Sequence, residues 1–591
     1  MFNKLLFFFI IFTASYSFAL THFYGVNTIA KDSVLNDDLY IHADAIVQPD
    51  NNYFRVLTVK GSIINEGTIQ NDLVNGQYFY VYAEGDVTNL GTWGGRNLVL
   101  SGTFSQSIES GELNPFEPTG FISQNSAGLI AGSNINVRNC NVALNDNSLD
   151  LEGFSFNLHS SSLKNAVIIG GNGSVIRGEL DSFLENTTAS DIILEGVLDI
   201  SSSVLFSGIT TNYAEIKNHY NYNAMPNFTG DLNNYGTITD NYQNFFYPYV
   251  QGNIYNDGVI TCRNLIMNGT SLQTVSCSDS TFFEPDAFIS QNSVGIQAIS
   301  DIYFNNCNIR GGNNSLDLNG FNAYINSGNS IEIKYSNGTI NLSLGSCLEN
   351  TVLEDITIEG TALIGYNNQS YGELVNNSVL QNDDGNFRTL VVHGNLTNNS
   401  VMTTNTAGDL YVHAYGNITN TGTMDYYQTL VKGNTDQAII IPNGAPIENF
   451  RLYLTSELET APFEWQYNLA PLDLPETGNE STFQMHFENA SIDEPYFGTY
   501  HCETGEGASR KIYIYNGVFP APVITSGSHE NETSEINWEN IPSAVSYKVY
   551  SSDDPYADQA TWTYETEVFT NSCTLTNQTA QKKFHFVKAI Y

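Results

Sequence analysis

The chain has 591 residues and carries 62 aspartates and glutamates against 21 lysines and arginines, a formal net charge of −41. A field of that sign argues against nucleic acid as a partner. Only 14% of residues are charged, while 41% are hydrophobic and 12% aromatic, so the composition is that of a β-rich extracellular chain able to build cores, not of a disordered acidic tail.

The first element reads as an export signal. Lys4 precedes the apolar run from Leu5 to Phe12, and a polar stretch ends in Ser17, Phe18 and Ala19. A signal peptide over 1–19 with cleavage after Ala19 is expected, leaving a soluble mature chain. No later segment approaches the roughly 18 uninterrupted apolar residues of a membrane span.

Repeats follow at two scales. At short range an alternating strand leads into a glycine and an Asn-rich turn, as in Gly61 to Gly67 (GSIINEG), Gly85 to Gly91 (GDVTNLG), Gly252 to Gly258 (GNIYNDG) and Gly416 to Gly422 (GNITNTG). The offset from Gly61 to Gly85 is 24 and that from Gly394 to Gly416 is 22, a spacing that suits one coil of a stacked solenoid. Asn tolerates left-handed corners, and Gly takes positive φ without steric cost. Stacked coils should therefore align Asn side chains into ladders and bury Ile, Val and Leu inside.

At long range, Phe121 to Ser126 (FISQNS) recurs at an offset of 167, as Phe288 to Ser293. The same offset joins Cys140 to Cys307 and Leu149 to Leu316, and an offset of 164 joins Leu184 to Leu348 and Asp191 to Asp355. A three-residue deletion in a turn accounts for the change. Residues 121–287 and 288–445 thus read as equivalent modules, preceded by half a copy.

This periodicity and turn composition, over about residues 35 to 445, resemble the parallel β-helix proteins of bacterial surfaces, both adhesin-like and pectate-lyase-like. Behind the solenoid, Trp465, the alternating Phe483 to Phe487 and the run Gly498 to Cys502 (GTYHC) resemble an immunoglobulin-like sandwich over 446–517. That resemblance implies Trp465 in the core and Tyr500 as the corner tyrosine, although no cysteine between Cys347 and Cys502 supplies the usual disulfide partner. After the linker Phe519 to Pro522, Ile536 to Trp538, Ala544 to Tyr550 and Phe584 to Ala589 resemble a fibronectin type III module over 518–591, with Trp538 and Tyr547 as core aromatics of adjacent strands. The expected fold class is all-β, a parallel β-helix (solenoid) over 20–445 followed by two β-sandwich domains.

Seven cysteines are sparse and odd in number, so no disulfide framework organises the fold. Cys262 and Cys277 are the best-placed pair, while Cys140 and Cys307 read as small buried side chains.

Parallel β-helices host polysaccharide lyases and hydrolases, and the pectin hydrolases among them carry Asn-Thr-Asp, an Asp-Asp pair, Gly-His-Gly and Arg-Ile-Lys. Hydrolases of this kind need acids held at fixed separation. Here Asn434, Thr435 and Asp436 stand at the end of the solenoid without the last two motifs. A lyase needs a basic residue and often calcium held by clustered acids, but Arg138, Arg177, Arg263, Arg310 and Arg388 are scattered and read as isolated solvated side chains. His393 and His413 sit differently against Gly394 and Gly416, so they do not read as stacked metal ligands. Gly170 to Gly173 lacks the Asp of calcium-binding nonapeptides and Asp383 to Gly385 fails the EF-hand spacing, so no motif supports calcium; calcium stays open for an acidic extracellular chain, and no other cofactor is expected.

The strongest binding signal is aromatic. Tyr220, Tyr222, Tyr242, Phe245, Phe246, Tyr247 and Tyr249 crowd one region of the first full module. Exposed rings stack on sugar faces or anchor a partner; the same rings could instead fill a widened coil. The expected function is a secreted or cell-surface, non-catalytic scaffold that adheres to an extracellular glycan or surface protein, with a polysaccharide-degrading enzyme as the alternative.

Overall fold

A computed structural model describes residues 19–590, with breaks at 51–53, 72–77, 180, 220–222, 241–244, 280, 327–329, 384–385, 406–407, 434 and 442–449. Further breaks fall at 456–462, 468–469, 472–481, 488–497, 505–508, 516–521, 531, 542–543, 545, 557–560 and 577–582. Residues 1–18, within the signal peptide expected over 1–19, lie outside the described residues. The chain forms two compact units, Met1–Ile296 and Gln297–Tyr591.

The first unit is a parallel β-solenoid. Each short strand pairs in parallel with its counterparts one coil behind and one coil ahead: Val87–Asn89 lies between Ile63–Asn65 and Ile108–Ser110, and Leu232–Asn234 between Leu205–Asn212 and Ile254–Asn256. Alternation decides which side chains enter. In Phe79–Ala83 the residues Phe79, Val81 and Ala83 are buried, while Tyr80 and Tyr82 are turned toward solvent. Because the coils stack in register, Ile63, Val87 and Ile108 form one apolar row, and each coil covers the next.

The asparagine ladders expected from the turns are present inside the coils. Asn212 donates through Nδ2 to Asn234 Oδ1 at 2.8 Å and Asn234 to Asn256 Oδ1 at 2.7 Å, all three fully buried. An earlier ladder joins Asn65 to Asn89 at 2.8 Å. A buried amide is tolerable only with partners for its polar atoms, and for Asn234 the adjacent coils supply them, Asn212 donating to it and Asn256 accepting from it, whereas the Oδ1 of Asn65 has none.

The second unit repeats the arrangement from other residues. Asn376, Asn398 and Asn420 form its ladder, with bonds of 2.7 and 2.6 Å. The long repeat is written in the corners of both units. Asn139 has φ 47° and Asn306 φ 49°, at the offset of 167, while Asp191 has φ 48° and Asp355 φ 53°, at the offset of 164. The three-residue deletion falls at the turn around Gly171 to Gly173, which the second unit replaces with one left-handed Asn337 inside the continuous strand Ser330–Leu342. Three glutamines missed in the sequence mark the same repeat. Buried Gln106, Gln273 and Gln437 each donate to two carbonyls of the preceding coil: Ala83 and Gly85, Val250 and Gly252, and Ala414 and Gly416.

Within the second unit the sheet runs on past the last coil. Gln428–Val431 pairs in parallel with Phe450–Thr455, and Gln437–Ile440 in parallel with Ser509–Tyr515. Beyond them pairing turns antiparallel: Phe450–Thr455 with Thr482–Phe487, Phe463–Tyr467 with Gly498–Thr504, and Gly498–Thr504 with Ser509–Tyr515. An open strand edge is a template for unwanted pairing, and here the following segment occupies it. Trp465 sits opposite Cys502 in that pairing; the core roles expected for Trp465 and Tyr500 fall outside the described side chains.

The chain then forms two three-stranded antiparallel sheets, one with Thr533–Trp538 between Ile524–Glu530 and Ser572–Leu575, the other with Ser546–Ser552 between Thr563–Val568 and Phe584–Ile590. Trp538 and Tyr547 are consecutive in strand order but lie in different sheets, meeting edge to face at 5.4 Å between ring centroids. Ile536, Val549, Leu575 and Val587 complete their core. The Tyr547 hydroxyl accepts from the Ile541 N–H at 2.7 Å and donates to Asn540 Oδ1 at 3.1 Å.

Two expectations need correction. Cys262 and Cys277 are buried thiols, not a disulfide. Arg388 is not solvated: its side chain is 4% exposed, pairs with Asp383 at 2.6 Å and lies over the Tyr366 ring at 3.8 Å. Cys140 and Cys307 are both buried, as their equivalent positions suggested.

Candidate functional site

The aromatic crowd of the first unit divides by strand alternation. Phe246 is fully buried and bridges to Ala224 of the preceding coil, so it fills the core and is not a ligand anchor. Phe245 is 45% exposed, Tyr247 and Tyr249 are half-buried, and Tyr220, Tyr222 and Tyr242 lie outside the described residues. Phe245 and Tyr247 meet edge-on at 6.1 Å, and the Arg263 guanidinium lies 4.9 Å from the Phe245 centroid.

Asp240 fixes this shelf. Its Oδ1 accepts the Phe246 N–H at 2.9 Å and the Arg263 N–H at 3.0 Å. Burial pushes its carboxyl above the usual range against the pull of those two bonds. Arg263 also pairs with Asp286. The result is a small surface of outward rings held in place by a carboxylate whose lone pairs serve the backbone.

Sequence reasoning missed a second aromatic row in the same unit. Tyr213 and Tyr235 occupy one corner on successive coils and stack at 5.0 Å with planes 16° apart, and Tyr255 adjoins Tyr235 at 5.7 Å. Tyr213 is 54% and Tyr235 41% exposed. The signal was available for the stacked pair, since Tyr213 and Tyr235 directly follow the ladder asparagines Asn212 and Asn234.

The second unit carries a groove of about 530 Å³ beside its stacked glycines, lined by Asp355, Glu373, His393, Tyr415 and Asp436. His393 is stacked between Tyr371 at 4.5 Å and Tyr415 at 5.0 Å. His413 is separate from it: its imidazole, half-buried, is pushed down to about 4 by desolvation and then by Lys432. The acids of the groove hold corners. Asp355 Oδ1 accepts the Glu373 N–H at 2.8 Å, and Asp436 Oδ1 accepts the Lys511 N–H at 2.8 Å. The carboxylate of the Asn-Thr-Asp run is thus bound to the backbone of the segment on the last coil.

Cys347, Glu349 and Asp383 bring one ligand atom each within 4.8 Å of the others. Their chemistry disfavours a cation: Arg388 already neutralises Asp383, and burial pushes the Cys347 thiol up to about 12. No protein-family model and no curated protein matches the chain.

Proposed function

We propose that this protein is an exported, non-catalytic binding scaffold, in which a rigid solenoid presents rows of aromatic rings to an extracellular glycan. The observation that carries the reading is the exposed Tyr213–Tyr235 stack, two rings in register on successive coils, with Tyr255 tilted against Tyr235 from the neighbouring strand of the next coil. Rings fixed on a stacked backbone lose little conformational entropy on binding, which makes them efficient anchors. The Phe245 and Tyr247 shelf offers a second such surface. Against polysaccharide cleavage stand the duties of the acids: Asp240, Asp355 and Asp436 accept backbone N–H groups, and Asp383 pairs with Arg388.

The reading extends to the C-terminal segments. The pairing of 450–455 with 482–487, and of 463–467 with 498–504 and 509–515, supports an immunoglobulin-like module fused to the solenoid, in which Gln437–Ile440 serves as its first edge strand. The two three-stranded sheets around Trp538 support a fibronectin type III-like module. Both would space or display the solenoid at a cell surface. A glycan array tests the reading: binding by the intact protein should fall at least about tenfold in the Tyr213→Ser/Tyr235→Ser double variant, as loss of hot-spot rings does. Unchanged binding would remove the tyrosine row as the site.

A further inference from the structure

We propose that His22 and His42 form a binding site for a divalent transition metal, Cu²⁺ above all, across two adjacent coils of the first unit. Leu20–Phe23 pairs in parallel with Asp38–Ile41, with His22 opposite Tyr40, and the His42 N–H bonds to the Phe23 carbonyl at 3.1 Å. That register places the two imidazoles diagonally on adjacent coils, with His22 Nδ1 2.9 Å from His42 Nε2.

The separation suits chelation. Two nitrogens each about 2.0–2.1 Å from a metal and at right angles around it are about 2.9 Å apart, the cis arrangement of a tetragonal Cu²⁺ site. Ring packing fixes the pair: Tyr24 stacks on His42 at 3.9 Å and 15°, and Tyr40 lies against His42 at 4.5 Å. His22 is exposed, so the open coordination positions face water. The Tyr40 phenol bonds to Glu66, which keeps a carboxylate beside the site.

No net proton change is needed on neutral rings. Without metal, one imidazole donates its N–H to the other across the 2.9 Å contact. On binding, the donor ring carries its proton on its other nitrogen, and both facing lone pairs go to the metal. A net charge of −41 adds a long-range attraction for cations.

The site is independent of glycan binding and is tested by calorimetric titration of the purified protein with Cu²⁺, alongside electron paramagnetic resonance of the bound ion. One Cu²⁺ per chain with coupling to two imidazole nitrogens is expected, and His22→Gln and His42→Gln should each weaken binding about 100-fold, the gain from holding two ligands on one frame. His159→Gln should leave binding unchanged, and thermal melts of all three variants should match the parent. Affinity that survives His42→Gln but is lost with His22→Gln would place the ion on the chain terminus and His22 and overturn the pair. So would affinity indifferent to both substitutions.

Discussion

Replacing Asn398 by alanine should loosen the second unit locally, and the size of the effect follows from its partners. Asn398 is fully buried; its Oδ1 accepts from Asn376, and its Nδ2 donates to Asn420 Oδ1 at 2.6 Å and the Thr423 carbonyl at 3.0 Å. Truncation orphans the Asn376 donor, which keeps only a 3.4 Å contact with the Val401 carbonyl, and the Asn420 acceptor. At about 1–3 kcal/mol for each buried group left unsatisfied, the cost is about 2–6 kcal/mol. Solenoid stability is a sum over neighbouring coils, so the loss should be local. Native-state hydrogen exchange reads it directly. Amides of 388–425 should exchange at least about 30-fold faster, the lower bound of about 2 kcal/mol, while those of 533–575 stay unchanged. Asn399→Ala, which removes two exposed bonds, one donated to Asn377 at 3.0 Å and one accepted from Thr421 at 2.9 Å, should change exchange less than about threefold. A change below about 0.5 kcal/mol for Asn398→Ala would refute the ladder as a structural member.

Four other outcomes are expected. A Cβ at Gly394 would lie 1.4 Å from the Gly372 carbonyl oxygen, so Gly394→Ala must push adjacent coils apart and should cost at least about 3 kcal/mol in denaturant unfolding, whereas Gly527→Ala, with its nearest contact at 3.8 Å, should be silent. Trp538→Ala should cost about 3–5 kcal/mol and abolish the unfolding transition of the terminal sheets while leaving the solenoid transition in place, as followed by calorimetry. His413 titrates near 4 in the folded state and near 6.5 unfolded, so the unfolded chain binds its proton first; stability should fall as pH drops from about 6.5 to about 4, and His413→Gln should flatten that region of the profile. Ending the chain at Ile441 uncovers the edges of Gln428–Val431 and Gln437–Ile440, and light scattering should then report association that the full chain lacks.

The coils were legible because their signals are local. A glycine, an alternating triplet and an asparagine recur at offsets of 22 or 24, and each recurrence is a corner or ladder position, as at Asn234 and Asn256. The deletion that shifts the long repeat from 167 to 164 was legible for the same reason, since Gly171 to Asn172 is a turn in one copy and Asn337 a single bend in the other. Side-chain facing was harder to read. Phe245 and Phe246 are neighbours of one type, and only the register of the strand that follows decides which enters the core. Arg388 looked solvated because its two partners, Asp383 five residues earlier and Tyr366 on the preceding coil, stand in no repeating spacing to it. The His22 and His42 contact depends on the pairing of Leu20–Phe23 with Asp38–Ile41, which no short-range pattern announces.

The central claim is that the solenoid binds polysaccharide without cleaving it. It is tested by incubating the purified protein with pectin, alginate and glycosaminoglycans and measuring co-sedimentation together with release of reducing or unsaturated ends. Retention on at least one polymer, lost in the Tyr213→Ser/Tyr235→Ser variant, with no product above a heat-killed control, is the expected result. Product release above that control would contradict the account.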